Sequence, residues 1–175
     1  IKKDSDICII LSFYKIIPLK FLKYSKFNLV VHESNLPIGK GFSPLYWQIL
    51  KGKRKIIFTL FEASQKMDAG DYYFKKSFIF KENLFYNDIK NQQLKCALTL
   101  VSNFLKEYKS NKKIKMYKQS GKSTYFRKRD SNDSMININK SLKSQINLIR
   151  ICDDKKFPAF FKLKDKKFIL KMSED

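Results

Sequence analysis

Apolar residues fall into short dense runs before residue 80 and into spaced rows after it. Residues 7–11 (ICIIL) are apolar without a break, which predicts a strand buried on both faces, as in a parallel sheet. Residues 12–18 read as a loop and 19–24 as a short helix. Residues 27–31 (FNLVV) form a second buried strand that ends at His32, and 33–41 is a turn-rich loop with Pro37, Gly39 and Gly41. Ser43 suits an N-cap and Pro44 the first helical position, so 44–50 reads as a helix stopped by Gly52. Residues 56–63 and 71–80 are β-branched and aromatic, with a turn at 66–70 between them. They predict an antiparallel pair at the end of the sheet. Across 84–109, Leu94, Ala97, Leu98, Val101 and Leu105 recur at helical spacing. Residues 141–152 read as a second amphipathic helix, and 157–163 with 167–172 as a small terminal hairpin around Asp165.

Together these elements predict an α/β fold. Residues 1–110 would form the main domain, 111–128 a polar linker, and 129–175 a small α+β C-terminal extension. A parallel sheet needs strands and crossovers ahead of residue 7, where only six residues stand. The expectation is a sheet whose first strands are missing from this sequence.

The chain has 175 residues and is 43% hydrophobic, enough for a core and against wholesale disorder. No apolar run approaches the ~20 residues of a membrane span, and no signal-peptide pattern follows Ile1. Cys8, Cys96 and Cys152 are far apart and lack metal-ligand spacing, which fits a reduced, cytoplasmic protein with no metal. The net charge of +21 invites a polyanion as partner. However, 33 of the 37 cations are Lys, spread along the chain with a modest cluster at 112–118, whereas base-reading and phosphate-clamping sites favour Arg forks. A non-enzymatic RNA-binding module therefore has little support beyond charge.

His32 is the only histidine. It ends a strand and opens a Pro/Gly-rich loop, and ligands of open α/β sheets bind at strand C-terminal ends. A structural histidine would fit the same place. Asp68, in Met67-Asp68-Ala69-Gly70-Asp71, is a turn former by type. If it meets the imidazole it can orient the ring or share a proton relay.

The order of motifs resembles the folate-dependent formyltransferases. Asn28, His32, Ser34, Leu36, Pro37, Gly39, Gly41 and Pro44 are followed by Trp47-Gln48-Ile49-Leu50-Lys51-Gly52, then Thr59 and Asp68-Ala69-Gly70-Asp71. The likeness runs from about residue 7 to residue 80. Residues 127–161, with Ile149-Arg150 and Phe157-Pro158-Ala159-Phe160-Phe161, are similar to the segment after the catalytic domain in methionyl-tRNA and sugar formyltransferases. The resemblance implies a Rossmann-like formyltransferase sheet and 10-formyltetrahydrofolate as formyl donor to an amine. His32 would stabilise the oxyanion or relay a proton, and Asp68 would hold His32 and accept the amine proton. An oxyanion donor is worth roughly 2.7–4 kcal/mol, and proton transfer about 10²–10⁴-fold.

Two positions depart from the family pattern. The catalytic Asn usually two residues before the His is Val30 here, and Glu33 replaces a usual Pro. Asn28, on the same strand face by the period of two, is the candidate substitute, with Ser34 and Asn35 as other oxyanion donors. Asn28 as a plain strand-edge residue remains open.

For the folate pocket the resemblance points to Tyr14, Ile16, Ala63, Ser64, Gln65 and Met67, though Ile16 and Met67 equally suit core packing. The acceptor it implies is a nucleotide-linked amino sugar of a surface-glycan route, contacted by Ser34, Lys40, Tyr125 and Arg127. An extended linker packing on the domain would explain the last two as well. The alternatives are charged initiator tRNA, which would be the one nucleic-acid partner, and an inactive remnant. A barrel domain such as the tRNA enzymes carry needs more than the roughly fifty residues that come after Lys128. A homodimer is left open.

Overall fold

The computed structural model describes residues 3–11, 13, 15–110 and 113–172. A four-stranded mixed sheet forms its centre, in the spatial order β1 (Ser5–Ile10), β2 (Ser25–His32), β4 (Lys55–Glu62), β5 (Tyr72–Ile79). β1 and β2 are parallel, joined through helix α1 (Leu19–Leu22), while β2–β4 and β4–β5 are antiparallel. The antiparallel pair at the sheet's end is where the β-branched and aromatic runs put it. β1 differs from the expectation of full burial. It pairs with β2 alone among the described residues, and Ile9 is 42% exposed, because an edge strand leaves side chains uncovered.

Helix α2 (Pro44–Leu50) begins at Pro44 as expected, but Ser43 does not cap it with its hydroxyl. Ser43 has φ 51°, a left-handed conformation that turns the chain into the helix, and its carbonyl accepts from the amide of Trp47. Helix α3 (Tyr86–Lys109) packs Ile89, Cys96, Ala97, Leu100, Val101 and Phe104 on the sheet. Leu94 and Leu98, part of the apolar row seen in the sequence, are half exposed. They lie 60–100° round the helix from Ala97 by the ~100° step per residue, beyond the buried arc. Phe104 meets Phe27 and Tyr73 edge-on, with ring centroids 5.3 and 4.9 Å away. Each fully buried side chain of this kind contributes about 1.5–3 kcal/mol.

Residues 113–128 run back across the loops of the sheet. Their short strand β6 (Tyr125–Phe126) pairs in parallel with β3 (Lys40–Gly41). Beyond lie a 3₁₀ turn (Ser131–Ser134), helix α4 (Leu142–Ile149) capped by Ser141, and the hairpin of β7 (Ala159–Leu163) and β8 (Lys166–Leu170). Ile136, Ile149, Cys152 and Ala159 form their small core. Arg150 fastens this part to the rest. It is 1% exposed, and its Nη1 donates to the carbonyls of Lys81, Glu82 and Leu84 at 2.7–3.1 Å. Among the described residues no helix is long and apolar enough to cross a membrane.

Candidate active site

β2 delivers His32 to the C-terminal end of the sheet, opposite Thr59 of β4. The Thr59 hydroxyl donates to the carbonyl of Ser34 at 2.6 Å and receives the amide of Leu36, so the loop turns sharply after His32. Gln48 of α2 donates from Nε2 to the carbonyl of Glu33 at 2.7 Å, bracing the same loop from its other side.

The loop returns to the histidine at Gly39. His32 Nε2 lies 2.8 Å from the Gly39 carbonyl. A carbonyl only accepts, so Nε2 carries the hydrogen and Nδ1 is the basic nitrogen of the neutral ring. That Nδ1 stands 3.8 Å from Asp68 Oδ1. The other carboxylate oxygen of Asp68 accepts from the amide of Gly41 at 2.8 Å. Gly41 has φ 96°, and a Cβ there would lie 2.4 Å from the carbonyl oxygen of Phe126, so only glycine lets the three segments meet. Asp68 has φ 48°, a left-handed turn position that Asp tolerates better than most residues. The turn former and the imidazole partner are thus one and the same residue.

His32 and Asp68 border a cleft of about 370 Å³. Ile10, Phe13, Ile16, Ile17, Val30, Phe61 and Met67 give it apolar walls, and Lys15, Glu33, Tyr46, Ser64, Lys66 and Gln93 supply polar groups. Val30, at the position where the family pattern has Asn, presents a branched apolar side chain. Glu33 accepts from Gln93 Nε2. Burial pushes the Tyr46 phenol well above its ordinary range, reinforced by Tyr86 and Glu33, so it is a neutral donor at physiological pH.

Of the candidate residues, the structure brings His32, Asp68, Ile16, Ala63, Ser64 and Met67 to the cleft. Tyr14 lies outside the described residues. Gln65 is not among the lining residues. Asn28 is turned away: its Nδ2 donates to the Leu22 carbonyl at 2.9 Å and to Glu62 Oε1 at 3.2 Å, which makes it a brace between α1 and β4. Asn35 is held by Lys75 Nζ at 2.8 Å, and Ser34 is 2% exposed behind the loop. Lys40 is buried by its pairing with β6. Tyr125 is 66% exposed away from the cleft, and Arg127 is paired with Asp133 over the Trp47 ring. Lys40 and Tyr125 are register partners in the β3–β6 pairing, and Arg127 follows directly after it. Tyr46 and Gln93 had no motif to mark them; they reach the cleft because α2 and α3 pack beside the loop after His32.

The formyl transferase family pattern matches residues 2–101, more than half of the chain. The chain belongs to the formyl transferase family. Methionyl-tRNA formyltransferase of Mycoplasma mycoides subsp. mycoides is 29% identical over 151 residues, 85% of this chain and 47% of that protein. The chain thus spans about half the length of this curated relative. The formyl transferase fold recurs in solved structures. Methionyl-tRNA formyltransferase from Clostridium thermocellum superposes with TM-score 0.77 at 21% identity, over 93% of this chain and 69% of that one. A sugar N-formyltransferase from Shewanella superposes with TM-score 0.72 at 17% identity, over 98% and 70%.

Proposed function

We propose that the chain is a folate-dependent N-formyltransferase that moves a formyl group from 10-formyltetrahydrofolate to the amine of a nucleotide-linked amino sugar. The observation that carries this is the pairing of His32 Nδ1 with Asp68 Oδ1, two acceptors 3.8 Å apart at the wall of the cleft. One nitrogen can stand at about 2.8 Å from both, and an amine, with two or more N–H bonds, is the nucleophile that such a pair binds and deprotonates. Asp68 is oriented by the Gly41 amide and His32 by the Gly39 carbonyl, so neither has to reorganise as the proton leaves.

The walls fit a flat heterocycle. Ile10, Ile16, Ile17, Phe61 and Met67 offer apolar contact, and Ala63 and Ser64 line the cleft beside them. These residues would hold the folate, which when bound supplies an activated formyl carbonyl. Lys15 and Lys66 place two cations on the same cleft, which suits the phosphates of a nucleotide carrier. Residues 1–110 would be the catalytic unit, 111–128 the connection, and 129–175 an accessory extension. The free Cys8, Cys96 and Cys152 suit the reducing cytoplasm.

A second reading takes charged initiator tRNA as the acceptor. The net charge of +21 and the mycoplasma relative's name favour it. The test is to incubate the chain with 10-formyltetrahydrofolate and a panel of nucleotide-linked 4-amino sugars beside charged initiator tRNA. Release of tetrahydrofolate with one sugar supports the first reading, and release with tRNA alone the second. A folded chain that binds no folate overturns both.

A further inference from the structure

His32 reaches the cleft at the end of β2 and Asp68 on the turn before β5, and Gln119 of the crossing segment 113–128 touches that turn. Gln119 Nε2 donates to the carbonyl of Asp68 at 2.9 Å and to that of Gly70 at 2.8 Å. Both hydrogens of one carboxamide are spent on a single turn, at the residue with the left-handed φ of 48°. Gln119 Oε1 is buried without a hydrogen-bond partner among the described residues, so the amide's orientation follows from its two donors. Flipped, its oxygen would face two carbonyls. From the other side the turn is pressed by β4, since a Cβ on Gly70 would lie 1.7 Å from the Glu62 carbonyl oxygen.

The same segment grips the histidine's loop. The amide of Gly39, whose carbonyl binds His32, donates to Thr124 Oγ1 at 2.8 Å, and the amide of Lys40 donates to the Thr124 carbonyl at 2.9 Å. Tyr117 anchors the segment by exchanging two 2.9 Å backbone bonds with Tyr72, their rings stacked at 5.4 Å. The short stretch from Gln119 to Thr124 therefore braces the two loops against each other.

We propose that Gln119 is a positioning residue that sets the separation of Asp68 from His32. The proposal rests on the reading of that pair as the catalytic one. Gln119 acts through the turn carbonyls and touches no reactant. A misplacement of about 1 Å at such a pair costs on the order of 10²-fold in rate.

The full chain provides two reporters that need no activity. His32 is its only histidine, so the imidazole resonances are assigned without ambiguity, and Trp47, its only tryptophan, donates from Nε1 to the Arg127 carbonyl and stacks on Phe126, reporting whether the segment stays docked. Gln119→Met removes the donors at similar length, and Gln119→Glu sets a carboxylate against the two carbonyls. The expected result in both variants is unchanged Trp47 emission, displaced His32 resonances, and a kcat lowered by about 10²-fold with KM for donor and acceptor nearly unchanged. Wild-type His32 resonances and kcat in either folded variant would overturn the proposal. So would unfolding of both, which would make the segment a folding element. If the wild-type chain formylates no acceptor, the functional reading fails by itself, and the His32 resonances still decide whether Gln119 sets the pair.

Discussion

The Gly39 carbonyl binds His32 Nε2 at 2.8 Å and so turns the opposite nitrogen of the ring toward Asp68. The tautomer of the histidine is thereby chosen by the backbone of its own loop. The nitrogen left basic is the one beside the carboxylate, 3.8 Å from Asp68 Oδ1.

Asp68→Asn keeps the shape of the turn and replaces the carboxylate that the proposed function makes the proton acceptor. We expect formyl transfer to fall by about 10²–10⁴-fold while folate still binds. His32→Gln should do the same. Steady-state kinetics beside equilibrium folate binding checks both, and near-wild-type turnover in Asp68→Asn would remove the aspartate from the mechanism.

Gly41→Ala tests the backbone meeting point. The added Cβ would sit 2.4 Å from the Phe126 oxygen at a φ of 96°. We expect a loss of stability above about 1 kcal/mol and disturbed His32 resonances, since the Gly41 amide orients Asp68. A thermal melt with an NMR spectrum measures both. Gly121 also has a positive φ of 94°, but nothing lies within 4 Å of its Cβ position, so Gly121→Ala should leave the His32 resonances in place.

Arg150→Met removes the cation that binds three carbonyls of the segment 81–84. A hydrogen bond from a charged group contributes about 1.5–3 kcal/mol, and Lys81 and Glu82 are exposed to water, so the expected loss is about 1.5–3 kcal/mol in urea unfolding. Arg150→Lys should recover only part, because an ammonium lacks the planar fork. A loss within about 0.5 kcal/mol would show that water replaces the guanidinium there.

Glu62 gives a pH-dependent prediction. Burial raises its pKa, opposed by hydrogen bonds from Tyr73 and Asn28. The folded state then holds the proton more tightly than the unfolded state. Stability is therefore highest below the ordinary glutamate range and falls as pH rises from there to the raised folded value, with no further change above it. Glu62→Gln should abolish that fall, so the variant gains on the wild type across this interval. Urea midpoints at a series of pH values from about 4 to 8 track it, and parallel curves for the two proteins would disprove it.

Much of the fold is legible in local patterns. The dense runs at 7–11, 27–31, 56–63 and 71–80 became strands, and Pro44 and Gly52 bracket a helix, because period, propensity and backbone restriction act within a few residues. The phase of α3 was not legible: Leu94 and Leu98 match the helical period as well as Leu100 and Phe104 do, and only the sheet decides which row is covered. Asn28 shows the same gap at the site. It shares a strand face with His32 by the period of two, yet its amide is drawn to Leu22 and Glu62, partners that exist only once α1 and β4 are in place.

The order of residues alone set the chemistry on offer: one histidine at a strand end, an aspartate in a tight turn, and a motif order that points to the formyl transferase family. Which of these groups meet was left to the packed fold. Asp68 reaches His32 across 36 residues because β2 and β4 pair with His32 opposite Thr59 and because Gly41 allows the close approach of Phe126 and Asp68. Strand register and loop closure depend on the pairing energy and packing of the whole sheet. A residue's own neighbours in the chain carry no record of either.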